Sequence, residues 1–217
     1  MFKVYFLLHA DNDPFKAHGD EAAALARETF PNLAGYVQTR ASERQVDGRE
    51  GGTAFNATAE VWFRYAADAV QAAQHGCDAL IDGAVVHAVH CGEERVVMRT
   101  AEHWLKPCMK GVYPFRRKAG MGIADFQHYW WHNHGPIAAA TEEALCYVQT
   151  HVLEQYYEGG EPAYDGVTEL HWLDTGAANR AVASRQMVED QGGDAPNFVD
   201  LESVQLLLVD QEVCVAP

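Results

Sequence analysis

The sequence predicts an α+β chain built from two copies of one β-α-β-β-α-β unit, and three observations carry that expectation. The tetrapeptide YVQT occurs at Tyr36–Thr39 and again at Tyr147–Thr150, an offset of 111 residues. Near that offset an ordered series of segments corresponds. Lys3-Val4-Tyr5-Phe6-Leu7 lies against Lys110-Gly111-Val112-Tyr113-Pro114-Phe115, and Ala59-Glu60-Val61-Trp62-Phe63 against Thr168-Glu169-Leu170-His171-Trp172-Leu173. Leu80-Ile81-Asp82 matches Phe198-Val199-Asp200, and Glu94 matches Glu212. Third, both halves run through the same succession of apolar strands, Ala-rich helical stretches and Gly-rich breaks.

In the first half a strand over residues 2–8 leads to the helix HGDEAAALARETF and a strand around YVQTRA. The polar stretch SERQVDGREGGT precedes ATAEVWFRY, whose aromatic and β-branched content suggests another strand. AADAVQAAQ is a helix stopped at His75-Gly76, and VVHAVHCGEERVVM closes the unit with a bulge or turn at Gly92. In the second half, strand 110–116 is followed by the helix ADFQHYWWHNH, a break, and a helix running into YVQTHVL. The loop EGGEPAYDG, strand VTELHWL, helix GAANRAVASRQMVED and strand VQLLLVDQEVCV complete it.

Such a ferredoxin-like unit has helices on one sheet face and leaves the other bare. Val61, Phe63, Leu170 and Trp172 are the apolar residues expected on that bare face, which must be buried against something. The other half of the chain is the cheapest partner. Two facing sheets would then make a pseudo-dimeric α+β barrel around a shared cavity. The expected divisions are residues 1–99, a connector at 100–109, and 110–217.

With 16 Lys and Arg against 31 Asp and Glu, the formal charge is −15, and no basic block appears. Nucleic-acid and anionic-membrane surfaces need clustered cations, so neither is an expected partner. Five cysteines without a C-x-x-C pair argue for a reducing compartment. The apolar run in MFKVYFLLHADND is too short for a signal peptide and reads as a strand. No stretch reaches the ~20 apolar residues of a membrane span. A cytoplasmic chain is expected. Walker, G-x-G-x-x-G and G-x-S-x-G motifs are missing, so nucleotide and serine-hydrolase chemistry has no support.

HYWWHNH, residues 128–134, places three histidines and three large aromatics before Gly135-Pro136. Proline cannot continue a helix without losing a hydrogen bond, so a helix from about Ile123 should end or kink near His134 and restart at Ile137. His134 at that junction is the first choice for a general acid or base, the alternative being a structural hydrogen bond. His128 and His132, four apart, share a helix face, and with His134 they offer a geometry a metal could use. With no H-E-x-x-H and no nearby carboxylate, a solvated helix face is the alternative, and no metal is assigned. Trp130 is expected in the core, Tyr129 could direct its hydroxyl into the cavity, and Trp131 could face an oligomer interface.

Arg116 and Arg117 end a strand, so one of them should face inward to meet a carboxylate, enolate or phenolate, unless it forms a surface salt bridge. Glu169 and His171 alternate onto one face and would supply a carboxylate–imidazole pair near His134. Glu60 repeats Glu169 without a matching histidine. His151 is a weaker candidate, and YVQT reads as structural.

Residues 110–150 resemble the EthD family of dimeric α+β-barrel proteins. The resemblance lies in Arg116-Arg117-Lys118-Ala119-Gly120, Phe126, Tyr129-Trp130 and His134-Gly135-Pro136. The first half, FKAHGDEAAALARETFP, lacks these residues, so the chain is similar to a tandem form in which only the second half keeps the motif. The resemblance implies a cofactor-independent lyase, of dehydratase or decarboxylase type, acting on a small aromatic or carbonyl-bearing compound in the barrel cavity. His134, His171, Glu169 and Arg116 would be catalytic, with Tyr113, Tyr129, His128, His132 and Trp172 binding substrate. Two alternatives stay open: a non-catalytic small-molecule-binding accessory protein, and a haem or metal-dependent enzyme. Pairing with a second copy of the chain is also open.

Overall fold

Residues 1–42, 53–104 and 108–217 are described by the computed structural model. Most of the predicted polar loop after the first YVQT, and part of the connector, lie outside that range.

The first half comprises β1 (Phe2–Ala10), α1 (Gly19–Thr29), β2 (Leu33–Ala41), β3 (Ala57–Phe63), α2 (Ala66–His75) and β4 (Ala84–Arg99). The second comprises β5 (Met109–Arg117), a helical segment, β6 (Ala144–Val152), β7 (Gly166–Trp172), a second helical segment, a two-residue strand β8 (Val199–Asp200) and β9 (Leu207–Val215). The first helical segment is α3 (Ile123–Tyr129), a π-turn and α4 (Gly135–Ala138); the second contains α5 (Thr175–Ala183) and α6 (Gly192–Asp194). Alanines make the helix faces thin: Ala22, Ala23 and Ala26 of α1 are buried, as are Ala177, Ala178 and Ala181 of α5. As expected, α2 ends at Gly76, whose φ of 81° is the left-handed conformation that glycine adopts cheaply.

Strand order is β4-β1-β3-β2 in the first half and β9-β5-β7-β6 in the second, all antiparallel. These are two ferredoxin-like repeats. The 16-residue β4 pairs with β1 through its first part and with β6 through its second, while β9 bridges β5 and β2. Each repeat thus lends its last strand to the other, and the eight long strands close into a barrel with helices outside. Among the described residues, closure leaves no unpaired sheet edge between the halves.

Side-chain alternation differs from expectation. Val61 and Phe63 pack with Ala22, Ala26, Ala69 and Ala72, and Leu170 and Trp172 with Ala177, Ala178 and Ala181. Those four residues therefore face the helices. The inner face carries Lys3, Tyr5, Glu60, Lys110 and Glu169 at one end, while Leu7, Phe55, Val112, Val167, Leu207 and Val209 fill the other. A bare sheet face inside a barrel need not be apolar if its charges neutralise one another.

They do. Lys3 Nζ lies 2.7 Å from Glu60 Oε2 and 2.5 Å from Glu169 Oε1, and Lys110 Nζ lies 2.6 Å from Glu60 Oε1 and 3.2 Å from Glu169 Oε1. The Tyr5 hydroxyl donates to Glu169 at 3.0 Å. The repeat correspondence of Lys3 with Lys110 and Glu60 with Glu169 thus becomes a physical contact across the pseudo-twofold axis. Burial opposes ionisation of Glu169, but the Lys110 and Lys3 ammonium groups and the His171 hydrogen bond outweigh it, holding its carboxyl well below the usual range.

Candidate functional site

YVQT does the same structural job twice. Tyr36 and Tyr147 each accept from the glutamine two residues on, Gln38 and Gln149, at 2.9 and 3.1 Å. Each glutamine also donates to a main-chain carbonyl across the helix layer, Gln38 to Ala17 at 3.0 Å and Gln149 to Trp130 at 3.0 Å. The second of these contacts bears on the site.

Trp130 begins the π-turn Trp130–His134, and the N–H of Gly135 reaches back five residues to the Trp130 carbonyl. The helix does not break at Pro136. It widens by one residue per turn just ahead of the proline, absorbing the missing N–H, and continues to Ala138. Gln149 adds a second donor to the same carbonyl, and Tyr147 accepts from the Trp130 indole at 3.3 Å. The restart expected at Ile137 is replaced by this continuous, locally unwound helix, which turns His134 inward.

Gly166 is where the sheet makes room for the turn. A Cβ there would sit 2.6 Å from Trp130 Cζ3 and 3.2 Å from Phe115 Cζ. Gly166→Ala should therefore displace Trp130 and cost about 1–3 kcal/mol, as overpacking does. A denaturant midpoint unchanged from wild type would contradict this packing.

His134 lines a cavity of ≈ 340 Å³ between the second-half sheet and its helices. Tyr113, Phe115, Trp130, Tyr147, Thr168 and Phe198 contribute most of its aromatic and polar wall. The imidazole Nδ1 lies 2.9 Å from Asp194 Oδ2, and the ring centroid lies 4.8 Å from that of Phe198. Asp194 Oδ1 accepts from the Tyr129 hydroxyl at 2.6 Å and from Asn197 at 3.1 Å. Burial lowers the His134 pKa, with Asp194 partly opposing it, so the ring is neutral at pH 7. Burial works against ionisation of Asp194, but the donors from Tyr129, His134 and Asn197 hold its carboxyl below the ordinary value. An ionised carboxylate only accepts, so the His134 proton resides on Nδ1 and Nε2 keeps its lone pair. No hydrogen-bond partner of Nε2 is found among the described residues.

An NMR titration of His134 should give a midpoint below ~6.5, the reference histidine value. The neutral, base-competent ring therefore persists below that pH and is lost as pH falls through the depressed midpoint. A midpoint at or above the reference would mean that Asp194 outweighs burial.

The other candidate residues separate. Glu169 and His171 point to the opposite sheet face from His134 and line a second cavity of ≈ 740 Å³ inside the barrel, with Lys110, Glu94 and Arg99. The expected carboxylate–imidazole pair exists, with His171 Nε2 3.4 Å from Glu169 Oε2, but not beside His134. Strand alternation put the two on one face; the closed barrel decided which face. His134 likewise opens into the sheet–helix pocket and not into the barrel.

Arg116 is exposed, its Nε donating to the Ala163 carbonyl at 2.9 Å, and Arg117 pairs with Asp165 and Glu161, so neither arginine lines the His134 pocket. His128 and His132 lie on the solvent face, their ring centroids 4.5 Å apart, away from His134. Tyr129 turns its hydroxyl to Asp194, and Trp172 is fully buried in the core under α5. Trp131 is half-buried, with the Arg95 guanidinium 5.7 Å from its ring, and His151 stacks on Trp130 at 4.5 Å. Tyr113 is the one predicted binding residue that joins His134 in the pocket.

Asp194 was not foreseen. It lies 60 positions from His134, at the end of the short Gly-rich α6 and beyond the helix expected to end at Asp190, and only tertiary packing joins them. Lys3 and Lys110 were visible in the repeat alignment as a lysine within each apolar strand, a signal of paired burial. In the first half Phe6 stacks on Phe30, and Phe30 meets Phe63 edge-on, with ring centroids 6.2 Å apart in both pairs, and the cavity beside them is smaller, ≈ 240 Å³, bordered by Phe30, Phe63 and His75.

No helix among the described residues is long and apolar enough to cross a membrane. Residues 118–202 match the family model described as EthD domain. No curated protein matches the chain. Among solved structures, an anthrone oxidase-like protein aligns over 99% of this chain and 94% of its own, at 8% identity and a TM-score of 0.60. A variant of chlorite dismutase from Candidatus Nitrospira defluvii aligns over 96% and 90%, at 12% identity and 0.51. An ethyl tert-butyl ether D family protein from Bacillus halodurans covers 46% of this chain and 95% of its own, at 15% identity and 0.39. At identities this low the first two likenesses are of fold alone, and that fold is the two-repeat α+β barrel.

Proposed function

We propose that this EthD-like, two-repeat α+β barrel is a small-molecule enzyme of lyase type whose site is the sheet–helix pocket of its second half. The single observation supporting it most is His134, neutral, oriented through Nδ1 by Asp194 and set in the wall of an aromatic-lined cavity. The Nε2 lone pair takes a proton from a carbon beside a carbonyl or from a phenolic or enolic hydroxyl. The imidazolium so formed is stabilised by the Asp194 carboxylate, and it returns the proton to the departing hydroxyl or to the carbanion left by carbon dioxide. Of the two residues expected to stabilise the developing oxyanion, Arg116 and Tyr113, Tyr113 borders this cavity and takes that role. Phe115, Trp130 and Phe198 favour a planar aromatic substrate.

The test is α-proton exchange of simple aryl ketones in heavy water. Wild-type protein should exceed the buffer rate, and His134→Gln should lose ~10²–10⁴-fold, the range for a positioned acid–base group. Equal rates for both proteins would remove His134 from the reaction.

A further inference from the structure

We propose that His103, Cys108 and His171 form a three-ligand site for one borderline-soft divalent cation, Zn²⁺ in the first instance, with its fourth coordination position open to the barrel cavity. The three side chains come from different parts of the second half's entrance. His103 lies in the single helical turn Ala101–Trp104, Cys108 immediately precedes β5, and His171 projects inward from β7. All three border the ≈ 740 Å³ cavity, on the opposite sheet face from the His134 pocket.

Their donor atoms converge. His103 Nε2 lies 3.1 Å from His171 Nδ1, Cys108 Sγ lies 3.5 Å from the same nitrogen, and all three lie within 4.8 Å of one another. A tetrahedral zinc ion with Zn–N near ~2.0–2.1 Å and Zn–S near ~2.3 Å separates its ligands by roughly 3.3–3.6 Å. The two shorter edges are already at that spacing within a few tenths of an ångström. Two neutral imidazoles and one thiol, soft to borderline donors, select zinc, cobalt or copper over magnesium or calcium.

The ligands are themselves held by neighbouring polar groups. His171 Nε2 lies 3.4 Å from the Glu169 carboxylate, which Lys3 and Lys110 also hold, so its proton belongs on Nε2 and the Nδ1 lone pair points at the other two donors. A carboxylate behind a ligating imidazole is the usual support of such centres. Gln211 Nε2 approaches Cys108 Sγ at 3.6 Å. Metal entry would displace the thiol proton, so loading should release protons and weaken as pH falls.

The asymmetry of the two repeats supports a dedicated site. Glu60 repeats Glu169, but the position matching His171 holds Trp62, whose indole donates to Glu94 at 2.7 Å. One copy of the barrel interior has lost, or never had, the imidazole. Glu94, Arg99 and Lys110 line the same cavity, a setting for water or a small anionic ligand at the open coordination position.

Calorimetry with Zn²⁺ on chelator-treated, reduced full-length protein should show one tight equivalent per chain. Co²⁺ loading should give a thiolate-to-cobalt charge-transfer band. Cys108→Ser should abolish that band and lower affinity at least ~10²-fold, while Cys214→Ser keeps both. His103→Ala, at a half-exposed connector position, gives a variant that leaves the barrel strands untouched and should weaken binding similarly. Absence of stoichiometric binding, or binding unchanged in both Cys108→Ser and His103→Ala, would overturn the proposal. The result is independent of the aryl-ketone exchange assay, so either reading can fail alone.

Discussion

Lys3→Met is expected to destabilise the fold by about 3–5 kcal/mol, the cost of leaving a buried charge uncompensated. The Lys3 ammonium is fully buried between Glu60 and Glu169, and it also lies 4.1 Å from the Trp62 ring centroid. Removing it leaves two carboxylates facing the single Lys110 ammonium. The double variant Lys3→Met with Glu60→Leu keeps Lys110 opposite Glu169 and should recover a large part of the loss. Denaturant midpoints for the three proteins decide the matter. A double variant less stable than Lys3→Met alone would show that the cost is packing and not unpaired charge.

The same cluster sets the acid response. Glu169 has a folded pKa held well below its unfolded value, so the stability it contributes is complete above ~4.3. That contribution fades as pH falls through the lower folded value. Wild type should therefore lose stability on acidification below ~4.3, and Lys3→Met should show a shallower dependence over that range.

The second large effect is expected at Asp194. Tyr129 and Asn197 both donate to Asp194 Oδ1, while His134 uses Oδ2. In Asp194→Asn, keeping those two donors on the remaining carbonyl oxygen turns the new NH₂ toward His134 Nδ1. The imidazole must then carry its proton on Nε2, where it cannot act as a base. Asp194→Asn should thus fall ~10²–10⁴-fold in the exchange assay, the full range of an acid–base group. Asp194→Ala, which imposes no tautomer, should fall less. An Asn variant more active than the Ala variant would mean that the carboxylate does not fix the tautomer.

Much of the architecture is legible in the sequence, because a duplicated unit leaves ordered traces there. YVQT, the Lys-bearing first strands and the Glu-bearing third strands mark equivalent positions in β2 and β6, β1 and β5, β3 and β7. Period-two alternation correctly grouped Glu169 with His171. It could not say which group faced the helices, since both faces of each strand are buried, one by alanine helices and one by the opposite sheet. The apolar residues went to the helix side because alanine offers no partner for charge. The lysines and glutamates went inside, where the second repeat supplies their counter-charges.

At the candidate site, the Gly-Pro that follows His134 draws attention to it in the sequence, whereas Tyr113 comes only with the family resemblance. Tertiary structure decided the rest. Proline's missing N–H is absorbed by a π-turn that Gln149 and Tyr147 secure from the neighbouring strand, so the helix runs on and delivers His134 into a pocket on the helix side. Asp194 reaches it only through the packing of the second helical segment. Propensity and periodicity act over one element at a time, whereas the protonation state of an imidazole depends on whatever charge and burial the whole fold brings beside it.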